Sequence, residues 1–428
     1  MKAFKKVLCI LMSVSLLFGS FVIYSGAEKI DNADTIQPSQ AYKNEYPIVF
    51  VHGLFGWGQY EGINGMLPYW GATTGDLCDY LTSEGWECYS ASVGPLSSAW
   101  DRACELYAQL TGTTVDYGEA HSKQHGHHRY GRTYSNPFFE GWGSDKKVHL
   151  IGHSFGGTTV RMLMYLLTNG DENEVAAAGD SVSPLFTGGK EDYVQSVTTI
   201  CTPHNNVPTY YLTKRTGIWN NAILIHAFVV SLIGRSPLNG TVVDYHLEQF
   251  GLTNIPGKNN AERYLKAVKN FLKNTDDTCQ YDLGPEGNKK LNDMLDISKN
   301  TYYFSYAYSA THKGLFGTYV PDRTINPLLF LISLWIGLHP TFKDKVTGTV
   351  YNEEWRDNDG LASTIAETYP FDEASTQFNE EDINRGVWNV MPIQKGDHGQ
   401  AIGLYEKDEK THSFYLNLLD MLNSLDKD

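Results

Sequence analysis

Lys147-Val148-His149-Leu150-Ile151-Gly152-His153-Ser154-Phe155-Gly156-Gly157-Thr158 is the stretch that decides the architecture of this 428-residue chain. Lys147–Ile151 reads as a short buried strand. Thr158–Leu167 reads as a helix, with Val160, Met162, Leu163 and Leu166 on one face. Between them, Gly152-His153-Ser154-Phe155-Gly156 matches the pattern G-x-S-x-G. In a chain with 40 glycines the pattern alone says little; its place between a strand and a helix says much more. A tight strand-to-helix turn forces strained backbone on the serine, and only glycines at the flanking positions avoid collision. The turn lifts Ser154 Oγ above the sheet edge and aims the Phe155 amide at the point where an oxyanion would form.

Working outward, Pro47–His52 is a continuously apolar strand, Asp76–Ser83 a helix and Glu87–Val93 a second strand. Further strands are expected at Val194–Thr202 and Thr301–Ala307, and a final amphipathic helix at His412–Leu425. Strands separated by helices imply an α/β fold with a mostly parallel sheet covered on both faces. Residues 95–142, rich in His, Gly and Tyr, and residues 205–300, long and mostly helical, exceed a minimal core. Both read as insertions around one active site in a single domain over residues 45–428.

Composition narrows the function. Hydrophobic residues make up 41% and charged residues 19%, as in a globular chain. With 34 basic against 49 acidic residues the net charge is −15, which argues against a nucleic-acid partner. Residues 1–27 have the form of a secretory signal peptide: Lys2, Lys5 and Lys6, an apolar run from Val7 to Ile23, then Ser25-Gly26-Ala27. Residues 28–44 read as a polar leader, and the mature protein is expected to be extracellular with no transmembrane segment. Beyond the signal peptide stand Cys78, Cys88, Cys104, Cys201 and Cys279, an odd number in a chain too large for a disulfide scaffold. Cys78 and Cys88 lie on a predicted helix and the strand after it, and pairing or free thiols both remain open.

A nucleophilic serine needs a base, and the base an orienting acid. In a strand–elbow–helix fold they follow in the order Ser, Asp or Glu, His. Of the later histidines His226, His246, His312, His339, His398 and His412, His398 is best placed, in the late polar loop Lys395-Gly396-Asp397-His398-Gly399. Asp359 is the candidate acid, in the turn Asp357-Asn358-Asp359-Gly360-Leu361-Ala362, with Asp357 its competitor. A second oxyanion donor belongs on the loop after the first strand, His52-Gly53-Leu54-Phe55-Gly56-Trp57-Gly58, where the Leu54 amide is the candidate. Four histidines crowd residues 119–134, namely His121, His125, His127 and His128. Imidazole suits zinc, but spacing alone does not select ligands.

The His52–Gly58 loop, Val93-Gly94-Pro95-Leu96-Ser97-Ser98, Trp100-Asp101-Arg102-Ala103-Cys104-Glu105, Tyr130-Gly131-Arg132-Thr133-Tyr134 and Thr198-Thr199-Ile200-Cys201-Thr202-Pro203-His204 occur in that order. Together they resemble the secreted zinc-binding bacterial triacylglycerol lipases of the thermophilic-bacillus and staphylococcal type, from about Tyr46 to the final helix. The resemblance implies an α/β-hydrolase core with a helical lid and a triad falling on Ser154, Asp359 and His398. It implies a zinc ion on Asp101, His121, His127 and Asp277. That zinc would be structural, since a catalytic zinc keeps an open position and a serine nucleophile is already present. It also implies calcium near the histidine, with carboxylates two and seven residues after it. Gln400 and Tyr405 stand at those positions, so that calcium site is expected to be absent or weak.

The lid is expected at residues 218–234, an apolar stretch broken by Asn and His and too short to span a bilayer, with Leu328–Leu338 beside the same pocket. The implied activity is hydrolysis of long-chain triacylglycerols at a lipid–water interface. The alternatives are a carboxylesterase or phospholipase, a non-catalytic surface protein of the same fold, and a zinc-dependent hydrolase.

Overall fold

The computed structural model describes residues 41–216, 246–251, 271 and 275–427. The expected signal peptide, most of the polar leader and the expected lid at 218–234 lie outside the described residues.

Seven parallel strands form the central sheet: β1 (Ile48–Val51), β2 (Cys88–Ala91), β3 (Val148–His153), β4 (Val194–Ile200), β5 (Tyr302–Tyr306), β6 (Ser375–Gln377) and β7 (Trp388–Val390). Their spatial order is β6-β7-β5-β4-β3-β1-β2. β1, β3 and β4 are buried along their whole length; β1 is accordingly an unbroken apolar run, whereas β3 and β4 also bury polar residues such as His149, Gln195 and Ser196. Side chains still alternate between faces. Val49, Val51 and Leu150 enter one core with helices α2 (Ala99–Thr111) and α4 (Phe155–Asn169). Ile48, Phe50 and Ile151 enter the other, with α1 (Leu77–Ser83) and α5 (Asp408–Asn423). A short helix α3 (Glu119–His125) lies outside the sheet layers.

This order places the site. The chain leaves β1 for β2 on one side and returns to β3 on the other, so β1 and β3 flank a topological switch point. Open α/β sheets take ligands at the carboxyl ends of such strands. The loop after β1 and the elbow after β3 meet there, paired through Val51↔Gly152.

Two expected helix boundaries are corrected, and two strands were not anticipated. The helix after the elbow begins at Phe155 and not at Thr158. Gly156 and Gly157, poor helix formers by propensity, are helical because close packing demands them: a Cβ on Gly156 would meet the Val51 carbonyl oxygen at 2.1 Å. The final helix begins at Asp408, with Asp408 and Glu409 in the first turn, where carboxylates favour the positive end of the helix dipole. β6 and β7, three residues each, went unread: β6 is polar and exposed along its length, and β7, though buried, is a three-residue strand with Asn389 at its centre. All five described cysteines are free thiols, including Cys78 and Cys88.

Candidate active site

Ser154 is the first residue past β3 and carries φ 55° and ψ −127°, a backbone that a side chain rarely adopts. Two contacts enforce it. A Cβ on Gly152 would stand 2.5 Å from the Gly156 carbonyl carbon and oxygen, and the Ser154 amide donates to the Ile200 carbonyl at 2.8 Å. Ser154 therefore sits at a crossing of β3, β4 and α4 that tolerates no bulk.

His398 and Asp359 come from two late loops that grip each other. The His398 amide donates to the Asp359 carbonyl at 2.9 Å, and His398 Nδ1 donates to Asp359 Oδ2 in a very short hydrogen bond. The other carboxylate oxygen accepts the Leu361 and Ala362 amides, each at 2.8 Å. Asp359 is fully buried, which alone would raise its pKa; His398 beside it and these donors outweigh burial and hold the carboxyl below its ordinary value. Asp357, the rival acid, accepts instead from the Ser309 and Thr311 hydroxyls, both at 2.6 Å.

Ser154 and His398 both open onto a cavity of about 630 Å³, counting its mouth, walled largely by apolar groups such as Leu54, Val207, Leu283 and Leu361. The Leu54 and Phe155 amides have no protein acceptor among the described residues. Two donors left free at the serine are what a developing oxyanion requires. Leu361 also packs with Ile332 and Ile336 of the Phe330–Leu338 helix, which places that expected helix beside the cavity.

Two supporting residues escaped the sequence reading. Arg102, fully buried on α2, donates to the His52 carbonyl, to the Gly94 carbonyl at 2.9 Å and to Thr159 Oγ1 at 2.7 Å. Burial pulls its guanidinium down to about 10, so it stays charged at neutral pH. It clamps the end of the strand that carries Leu54. Glu367, also fully buried, accepts the Tyr308 amide at 2.8 Å and faces Asp359. Burial first, and the Asp359 charge second, push its carboxyl well above the ordinary range and keep it neutral. Each lies in an unremarkable stretch of helix or turn, and only the fold brings it to the site.

Near the calcium-type positions, Gln400 Oε1 accepts the Asp397 amide at 2.9 Å. Asp397 Oδ1 accepts the Gly399 and Gln400 amides, each at 3.0 Å, and its Oδ2 accepts the Asn326 amide at 2.7 Å. Tyr405 is half exposed at the surface. Hydrogen bonds within the chain thus shape the loop around His398.

The second cluster assembles Asp101 from α2, His121 from α3, His127 just after α3, and Asp277 before the turn Cys279–Asp282. His121 Nε2 lies 3.2 Å from Asp101 Oδ1 and 3.3 Å from Asp277 Oδ2, and His127 Nε2 lies 3.2 Å from the same Asp277 oxygen. Asp101 Oδ1 and His127 Nε2 are buried without a hydrogen-bond partner. Ligand atoms about 2.0 Å from a tetrahedral centre stand roughly 3.3 Å apart, so the spacing fits a small divalent cation. His127 Nδ1 donates to the His128 carbonyl at 2.9 Å, which leaves the Nε2 lone pair facing the cluster. Gln249 steadies the far oxygen of Asp101 at 2.8 Å. Burial, then the neighbouring Asp277 carboxylate, raise the Asp101 pKa, the mark of two carboxylates sharing a space that wants positive charge. Of the nearby histidines, His125 and His128 do not join the cluster.

Comparison with known proteins bears on these features. Residues 44–427 match the family model described as "Lipase-like, C-terminal domain". The lipase of Staphylococcus hyicus is 35% identical over 405 residues, covering 92% of this chain and 60% of the relative. The chain belongs to this lipase family. It spans about three fifths of the length of the curated relatives it matches. The crystal structure of Staphylococcus hyicus lipase superposes with a TM-score of 0.78 at 34% identity, covering 91% of this chain and 98% of that one. The structure of EstA from Clostridium botulinum superposes at 0.80 with 32% identity, covering 96% and 97%. The lipase family thus accounts for the parallel sheet and for nearly the whole described chain. No helix among the described residues is long and apolar enough to cross a membrane.

Proposed function

We propose that this chain is a secreted triacylglycerol lipase, a single α/β-hydrolase domain with two insertions that cleaves long-chain carboxylic esters at lipid–water interfaces. The observation that carries the reading is the apolar cavity onto which Ser154 and His398 open, with His398 bound to the buried Asp359. An apolar wall suits an acyl chain, and the polar groups converge only at the reacting end.

Ser154 Oγ attacks the ester carbonyl while His398 Nε2 takes its proton. Asp359 holds Nδ1 protonated and stabilises the imidazolium. The Leu54 and Phe155 amides receive the oxyanion. His398 then protonates the departing alcohol, and a water deprotonated by His398 releases the fatty acid. The cluster of Asp101, His121, His127 and Asp277 would hold zinc with two nitrogen and two oxygen ligands. All four positions are filled by protein, so the ion would supply a crosslink and not a nucleophile. Export rests on the form of residues 1–27, and a calcium ion near Gln400 and Tyr405 is not part of the proposal.

Titrating the fatty acid released from emulsified triolein, beside hydrolysis of a soluble butyrate ester, tests the reading. Turnover on triolein that climbs once an interface forms is expected, with Ser154→Ala down about 10⁴-fold or more on both substrates. Turnover confined to the butyrate ester makes the protein an esterase. Survival of activity in Ser154→Ala ends the mechanism.

A further inference from the structure

Three of the four segments that supply the proposed catalytic groups are the loop after β1, the elbow after β3 and the late loop bearing His398; the turn bearing Asp359 is the fourth. A buried chain of hydrogen bonds joins the first three. The Gly53 amide donates to the Tyr69 hydroxyl at 2.9 Å, Tyr69 Oη lies 2.7 Å from His153 Nδ1, and His153 Nε2 lies 3.0 Å from the His398 carbonyl. The two ends fix the direction of everything between them. An amide only donates and a carbonyl only accepts. His153 therefore carries its proton on Nε2, and the Tyr69 hydroxyl donates to Nδ1. With a neutral His153, each bond in the chain is satisfied in this arrangement alone.

From this geometry we infer that Tyr69 and His153 are positioning residues, setting the Leu54 amide and the His398 ring in register with Ser154. Gly53 immediately precedes the oxyanion donor Leu54, and His153 immediately precedes the nucleophile. The His153 ring stands 4.8 Å from that of His398, centroid to centroid. Tyr69 and His153 are both buried, and Trp57 and Trp70 pack around Tyr69. A residue outside the hydrolytic chemistry thus links both halves of it. Burial and the neighbouring His398 keep His153 neutral, consistent with a single tautomer.

The inference rests on the serine mechanism proposed above, and its test separates the two. Tyr69→Phe keeps the ring and its packing and removes only the hydroxyl. On the soluble butyrate ester, kcat should fall about ten- to hundredfold, with KM within twofold and a nearly unchanged melting temperature, because misaligned groups cost rate before they cost binding. Inactivation by a p-nitrophenyl phosphonate, which also needs the oxyanion donors and His398, should slow by the same factor. His153→Gln, which offers one donor and one acceptor, should retain more activity than His153→Leu at equal folded fraction. Wild-type kcat and phosphonylation rate in Tyr69→Phe would overturn the inference. So would a loss confined to KM or to stability, the sign of a residue that only packs. If Ser154→Ala stays active, the underlying mechanism has failed instead.

Discussion

The serine site and the four-residue cluster are built on opposite principles. Around Ser154 the fold removes bulk: glycines at 152 and 156 let backbone pass through backbone, and strain at one residue is held by β3, β4 and α4. The polar groups there are closed off by neutral or singly charged partners, and the two amides left free await an anion. Around Asp101 and Asp277 the fold gathers lone pairs. Two carboxylates and two imidazoles share a space with more acceptors than donors, and buried atoms there have no hydrogen-bond partner. The first region has its polar groups paired as the chain folds; the second is a group that could hold a cation, and the proposed ion would balance it. Geometry therefore governs rate in one region, and ligand binding governs stability in the other.

The largest expected effect breaks the first region without touching the second. Asp359→Asn keeps size and burial but offers His398 an amide, which stabilises the wrong tautomer and no imidazolium. Ester turnover should fall about 10⁴-fold, while the metal content per chain, read by atomic emission, stays as in the wild type. A loss below tenfold would remove Asp359 from the mechanism and return Asp357 to consideration.

The two regions also differ in how far the sequence reveals them. The elbow is local: strand, glycines, serine and helix lie within about a dozen consecutive residues, and the collision of Gly152 with Gly156 occurs inside that window. Ser154 and the parallel sheet were therefore legible from pattern alone, and chain order with loop chemistry narrowed the base and acid to His398 and Asp359. Asp101 and Asp277 are far apart in sequence and meet through tertiary folding, as in the contact between Cys279 and the Leu96 carbonyl at 3.0 Å. No periodicity signals that convergence, and only likeness to a known family picked the ligands. Arg102, Glu367, Tyr69 and His153 were missed as working parts for the same reason. Their roles lie in hydrogen bonds to backbone groups of distant loops, and a carbonyl carries no sequence signature.

A smaller effect sharpens the second region. Removing the ion with a strong chelator should lower the melting temperature by about 5 °C, since a ligand bound only by the folded state adds stability in proportion to its occupancy. His127→Ala should start lower and respond little to chelation. Because the cluster contains none of Ser154, Asp359 and His398, activity on the soluble ester at 25 °C should fall far less than the melting temperature implies. If chelation abolishes turnover while the protein stays folded, the division between the two regions is wrong and zinc takes part in the chemistry.

The smallest effect returns to Asp359 and concerns pH. Its pKa is depressed in the folded state: burial works upward, but His398 and the Leu361 and Ala362 amides work harder downward. A depressed carboxyl stabilises the fold above its unfolded pKa, and that share is lost as pH falls through the folded value. The wild type should therefore lose more melting temperature than Asp359→Asn does as pH falls below about 5, because the amide has no proton to take up. The difference should be small, since burial offsets much of what the donors contribute. Parallel acid limbs for the two proteins would mean that the Asp359–His398 pair carries no net stability, and that the fold holds the carboxylate there for its effect on rate alone.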